Sequence, residues 1–116
     1  MRFREPRDSS LMHWTRNAIA EMRQYGIFEQ KVKSILSHPV RTEQGIADGT
    51  IGAMMPFGSP TKDGRQPYRG ELWVLYREEG TETSEQPTRM KKTIIAVWKY
   101  PGVSKKREGI PGEESN

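Results

Sequence analysis

Apolar residues in this chain are gathered into a few short segments, and their spacing changes part-way along. Ala18, Ile19, Met22 and Tyr25 recur at the three- and four-residue intervals of one helical face. Thr15 fits the N-cap of that helix, and Trp14 before it can close on Ile19 as a hydrophobic staple. Gly26 supplies the left-handed residue that commonly stops a helix. Val32, Ile35 and Leu36 form a second stripe and predict a helix over 28–37, which Pro39 forbids from continuing. Joined at Gly26, the two helices make a hairpin.

Beyond Val40 the period shortens to that of strands. Segments 40–46 and 50–57 flank Ala47-Asp48-Gly49, whose Asp-Gly step suits a tight hairpin turn. Residues 58–69 read as a loop rich in glycine, proline and charge. Over 71–77, Leu72, Val74 and Tyr76 point one way, with Trp73 and Leu75 the other. A polar, acidic loop is expected over 78–87, then a strong strand over 91–100, where Ile94, Ala96 and Trp98 oppose Ile95 and Val97. Pro101-Gly102 ends it. The expected class is α+β, with an N-terminal helical hairpin packed on a three- to four-stranded antiparallel β-meander. Residues 1–10, with Arg2, Arg4 and Arg7 around Pro6, read as a flexible basic arm, 11–103 as a single domain, and 104–116 as a basic-then-acidic disordered tail.

Length and composition agree with one small domain: 116 residues allow one modest core, and 33% apolar residues with a mean hydropathy of −0.86 leave a polar surface. No cysteine is present, so disulfides and thiolate metal sites are excluded. No apolar run approaches membrane-spanning length and no leader opens the chain, so the expectation is a cytoplasmic protein with no membrane partner. A net charge of +4 permits an anionic partner without requiring one.

The two histidines, His13 and His38, form no metal-binding spacing, and no glycine-rich phosphate loop or nucleophile elbow occurs, so neither a metal nor a cofactor is expected. One constellation stands out. Trp98, Lys99, Tyr100, Lys105, Lys106 and Arg107 put aromatic rings and cations within ten positions, a mixture suited to single-stranded nucleic acid. The plainer reading is that Trp98 is core and the lysines solubilise a strand end. Arg16 and Asn17 open the first helix, where backbone N–H groups favour anions; His13 stands just before it, and Arg41 and Tyr76 could reach the same sheet face.

The run Trp14-Thr15-Arg16-Asn17-Ala18, followed by Met22, Tyr25-Gly26-Ile27, Val32, Leu36, Pro39 and Arg41, resembles an uncharacterised bacterial and phage domain family. The closing strand, Ile94 to Gly102, resembles that of the same family. The family is similar to BrnT-like and RelE-like toxins, small ribonucleases built from helices followed by an antiparallel sheet. The resemblance implies a metal-independent endoribonuclease with RNA as substrate, an antitoxin or other protein as partner, phosphate contacts from Arg16, Arg41, Lys99 and Arg107, and Tyr76 or Tyr100 positioning RNA. Asn17 stands where that family has a histidine, and an amide cannot shuttle a proton near neutral pH. Either that histidine is not catalytic, or His13 substitutes from one turn earlier, or activity is lost. The alternative is a non-catalytic protein-interaction module of a phage or mobile element.

Overall fold

In the computed structural model, which describes residues 2–83 and 86–105, the first helix begins where its capping residue predicts. Thr15 Oγ1 accepts from Ala18 N at 3.1 Å and opens α1 (Arg16–Tyr25). Gly26 closes it in the left-handed region at φ 70°. α2 (Glu29–Ser37) follows without a side-chain cap and is held by packing of Val32 and Ile35, both fully buried. The strands are β1 (Met12–Trp14), β2 (Arg41–Gln44), β3 (Thr50–Phe57), β4 (Gly70–Thr83) and β5 (Gln86–Pro101), in the sheet order β1-β5-β4-β3-β2.

The α+β class is as expected, but the sheet is mixed rather than a pure antiparallel meander. β2 to β5 pair antiparallel with their neighbours, whereas β1 runs parallel to β5, with Met12 opposite Lys92 and Trp14 opposite Ile94. A three-residue strand is too short to show a period, so Trp14 reads in sequence only as a helix-flanking apolar group. Where β1 ends, α1 takes over the β5 edge. Thr15 donates from N and Oγ1 to Ile94 O, Asn17 Nδ2 donates to Ile95 O at 3.0 Å, and Val97 N donates to Glu21 Oε1 at 3.0 Å. Strand groups that would otherwise face solvent are thus satisfied by one helix.

Two further expectations are corrected. Ile94 and Val97 share the helix-facing core, while Ala96 packs with Trp98 on the opposite face. The cause is a bulge: Leu75 pairs with Ala96 and Tyr76 with Ile94, so Ile95 is an extra residue that resets the alternation. The acidic stretch 78–87 is not a loop, because β4 and β5 continue as a two-stranded ribbon to the pair Thr83 and Gln86. Glu78 and Lys92 lie opposite and pair at 3.3 Å, and Glu79 lies opposite Lys91. Cross-strand charge complementarity at these pairs supports a ladder in so polar a sequence.

The main core lies between the helices and the sheet and contains Trp14, Met22, Val32, Ile35, Leu72, Val74, Tyr76, Ile94 and Val97. The outer sheet face carries a smaller cluster of Met54, Trp73 and Trp98. Phe3 of the amino-terminal segment packs against the main core, meeting Phe28 with ring centroids 5.9 Å apart, and Pro6 is buried. The expected tail lies outside the described residues from position 106 onward. Among the described residues no helix is long and apolar enough to cross a membrane.

Candidate nucleic-acid interface

On the outer sheet face, strand alternation aligns Glu71 with Trp73 on β4 and places Tyr100 and Trp98 beside them on β5. Trp73 and Trp98 stack with centroids 6.0 Å apart and planes 3° from parallel. Glu71 is fully buried, which would normally exclude a carboxylate. Its Oε1 accepts from Trp73 Nε1 at 2.9 Å and from Ser104 Oγ at 2.5 Å. Its Oε2 accepts from Tyr68 Oη at 2.6 Å and Ser104 N at 3.2 Å. Burial pushes the carboxyl up, but the donors, led by Ser104 and Tyr68, outweigh it and hold the group below its ordinary range. Burial, followed by the bond to Glu71, pushes the Tyr68 phenol up to about 12.

Arg41 completes this knot. Its guanidinium stands 5.0 Å from the centroid of Trp73 and 4.0 Å from Glu71 Oε2. It donates to Ser104 O at 2.9 Å, Ser104 Oγ at 2.7 Å and Lys105 O at 3.3 Å. Nε lies 3.3 Å from Glu43 Oε1, near enough for charge attraction but not aligned as a hydrogen bond. The result is a strap: 102–105 turns back from β5 over the outer face, with Gly102 N donating to Arg69 O and Ser104 buried beneath it. Arg41 thus directs both terminal nitrogens to protein oxygens of the strap, an internal role beside the phosphate contact expected of it.

The other expected site residues fall in separate places. Tyr100 and Lys105 share the outer face region with Arg41. Tyr76 is buried in the helix-facing core, where burial and then Glu78 push its phenol up, so it cannot position RNA or act on it. Lys99 is exposed on the helix-facing side, its Nζ 5.6 Å from the Phe57 ring. Asn17 is committed to Glu21 Oε1 and Ile95 O, and His13 Nδ1 to Asp8 Oδ2. Hydrogen bonds from Trp14 N and His13 hold Asp8 below its ordinary range. Arg16 is exposed at the start of α1. Arg107 lies outside the described residues. The expected single basic sheet face is therefore not formed by these residues.

A different basic surface is formed. The amino-terminal segment lies along the two helices, fixed by the Phe3–Phe28 contact and by Arg23 over the Phe3 ring at 5.1 Å. Three hollows open between them. One is lined by Glu5, Arg16, Ile19, Ala20 and Arg23, the next by Arg4, Glu5, Pro6, Arg7 and Glu29, and the third by Arg2, Arg4, Phe28, Glu29 and Gln30. Shared Glu5, Arg4 and Glu29 set them side by side, and the three together are the trough. Its two carboxylates are partnered, Glu5 by Arg23 at 3.4 Å and Glu29 by Lys33 at 2.7 Å. Arg2, Arg4, Arg7 and Arg16 make no ion pair among the described residues. No acidic side chain occupies the first turn of α1, so its backbone N–H groups add to the positive field there.

The sequence signal for this trough is the alternation of Phe3 and Pro6 with Arg2, Arg4 and Arg7, which lets apolar groups dock while arginines stay wet. The signal for the knot is Glu71 two positions before Trp73 on one strand face. The chain matches no protein-family description, no curated protein and no solved structure.

Proposed function

We propose that the chain binds single-stranded RNA through the arginine-lined trough between its amino-terminal segment and its two helices. The observation that carries this reading is the gathering of Arg2, Arg4, Arg7, Arg16 and Arg23 around three adjacent hollows with two already neutralised glutamates. Guanidinium groups pair well with phosphate oxygens, and Phe28 in the wall offers a ring face to an unpaired base. The RNA-directed direction implied by the resemblance is kept, with Arg16 retained from the expected residues and the other arginines new. The reading is one of binding rather than cleavage, because His13, Asn17 and Tyr76 do not line the trough.

Fluorescence anisotropy with a labelled single-stranded RNA, repeated over a salt series, tests it. Contact with about three phosphates gives a log–log salt slope near −2. Arg4→Ala and Arg16→Ala should each flatten that slope by about 0.7. Absence of binding at low ionic strength, or a slope unchanged in both variants, would remove the proposal.

The protein-docking alternative has an observation of its own. Leu11 and Met90 are 45% and 46% exposed, and with Met12 and Leu36 they line a hollow between α2 and the ribbon. Light scattering on wild type and Leu11→Lys separates this reading: self-association lost in the variant supports it, and a monomer at every concentration excludes a self-docking surface there.

A further inference from the structure

Next to the trough is a pocket of different chemistry. Phe28, which lines the trough, also lines a cavity of about 320 Å³ together with Ile27, Lys31, Phe57, Leu72 and Lys99. Ile27 and Leu72 are buried and form an apolar floor, and Phe28 and Phe57 are half-buried walls. Lys31 and Lys99 are exposed and come from different elements, α2 and β5. Lys99 Nζ sits 5.6 Å from the Phe57 ring centroid and Lys31 Nζ 4.0 Å from Met55 Sδ, so both ammonium groups stand over apolar walls without a carboxylate partner among the described residues.

We infer that this pocket takes one unstacked nucleobase of the RNA strand, with the adjoining phosphate held between Lys31 and Lys99. The inference rests on the RNA reading of the trough and extends it to a specific subsite. Three features select this occupant. The volume is at the low end for ligand pockets, which fits one flat group and excludes a stacked pair or a duplex. Aromatic walls beneath two cations match a π-face joined to a phosphate, as single-strand binders commonly arrange them. Phe28 lines both the trough and the pocket, so a strand tracked by Arg4 and Arg2 meets the pocket at that side chain. Apart from the two lysine ammonium groups, the lining has no side-chain amide, hydroxyl or carboxylate, so base edges meet no fixed pattern of donors and acceptors. Binding at this subsite is therefore tolerant of base identity, and differences between bases follow stacking strength.

The probe is a short single-stranded RNA carrying one 2-aminopurine, whose fluorescence reports whether that base is stacked. With wild-type protein, the signal changes on binding, and Phe28→Ala weakens affinity by about tenfold and abolishes the change. Lys31→Ala and Lys99→Ala, both at exposed positions, each lower affinity and flatten the salt slope. Arg4→Ala lowers affinity but keeps the fluorescence change. RNA bound with an Arg4-dependent salt slope, but with unchanged 2-aminopurine signal and neutral Lys31→Ala and Lys99→Ala, overturns the base pocket and leaves the trough standing. No RNA binding at all overturns both.

Discussion

Replacing Glu71 by glutamine tests whether the outer-face knot is held by a charged acceptor. The change keeps size and removes one acceptor oxygen. In wild type each carboxylate oxygen accepts one rotatable hydroxyl and one fixed N–H: Ser104 Oγ with Trp73 Nε1, and Tyr68 Oη with Ser104 N. Whichever way the new amide turns, its NH₂ confronts one fixed donor. The hydroxyl on that side can rotate to accept, but Trp73 Nε1 or Ser104 N cannot. One buried donor left unpaired costs about 1–3 kcal/mol, and weaker neutral bonds replace charge-assisted ones, so the expected loss is about 2–4 kcal/mol. That is a large part of a small domain's stability but leaves it folded. Urea denaturation followed by tryptophan fluorescence reads it directly, because Trp73 and Trp98 stack beside the site. A Glu71→Gln protein within about 0.5 kcal/mol of wild type would refute the reasoning. The acid limb gives a second readout. Because the folded-state carboxyl lies below its unfolded value of 4.5, its contribution is present above that pH and is lost as pH falls through the folded value. Glu71→Gln should flatten this acid dependence. At the other end, the Tyr68 phenol, raised from 10.0 to about 12, contributes stability below pH 10 that is lost as pH rises towards 12, and Tyr68→Phe should remove that limb.

The β5 edge should rank two neighbouring substitutions. Glu21→Ala leaves the Val97 N–H without its acceptor and should cost about 1–3 kcal/mol. Asn17→Ala should cost less, about 0.5–1 kcal/mol, since Ile95 O keeps Thr15 Oγ1 at 3.2 Å; amide hydrogen exchange at Val97 checks the order, and equal costs would contradict the assignment. Gly26→Ala meets no atom within 4 Å but must hold φ at 70°, so its cost is backbone strain alone, about 1 kcal/mol, measurable as a lowered Tm.

Local signals were legible wherever one residue dictates backbone conformation. Thr15 and Gly26 marked the ends of α1, and the alternation of Leu72, Val74 and Tyr76 against Trp73 and Leu75 fixed the faces of β4. The faces of β5 were not legible, because the bulge at Ile95 is set by pairing with β4 and by Asn17 and Thr15 reaching its carbonyl. The ribbon escaped because its pairing draws on cross-strand charge, as between Glu78 and Lys92, which leaves no apolar alternation to read. Among site residues, cations could be named but not located. Arg41 stands out in sequence as a basic group near a strand, and only the fold shows it tied to a strap 63 positions later. Lys99 has an exposed place beside a pocket, whereas the arginines of the amino-terminal segment read in sequence only as a basic arm, since the docking of Phe3 on Phe28 is a tertiary contact.

The distance in sequence between Glu71 and Ser104, 33 residues, has a consequence for biosynthesis. Glu71 emerges from the ribosome well before the residue that caps it, so a nascent chain carries a bare carboxylate beside Trp73 until Ser104 has been made. A chain that stops before Ser104 keeps β1 to β5 yet loses two of the four donors that satisfy Glu71, so the strap completes a sheet face that the strands alone leave open.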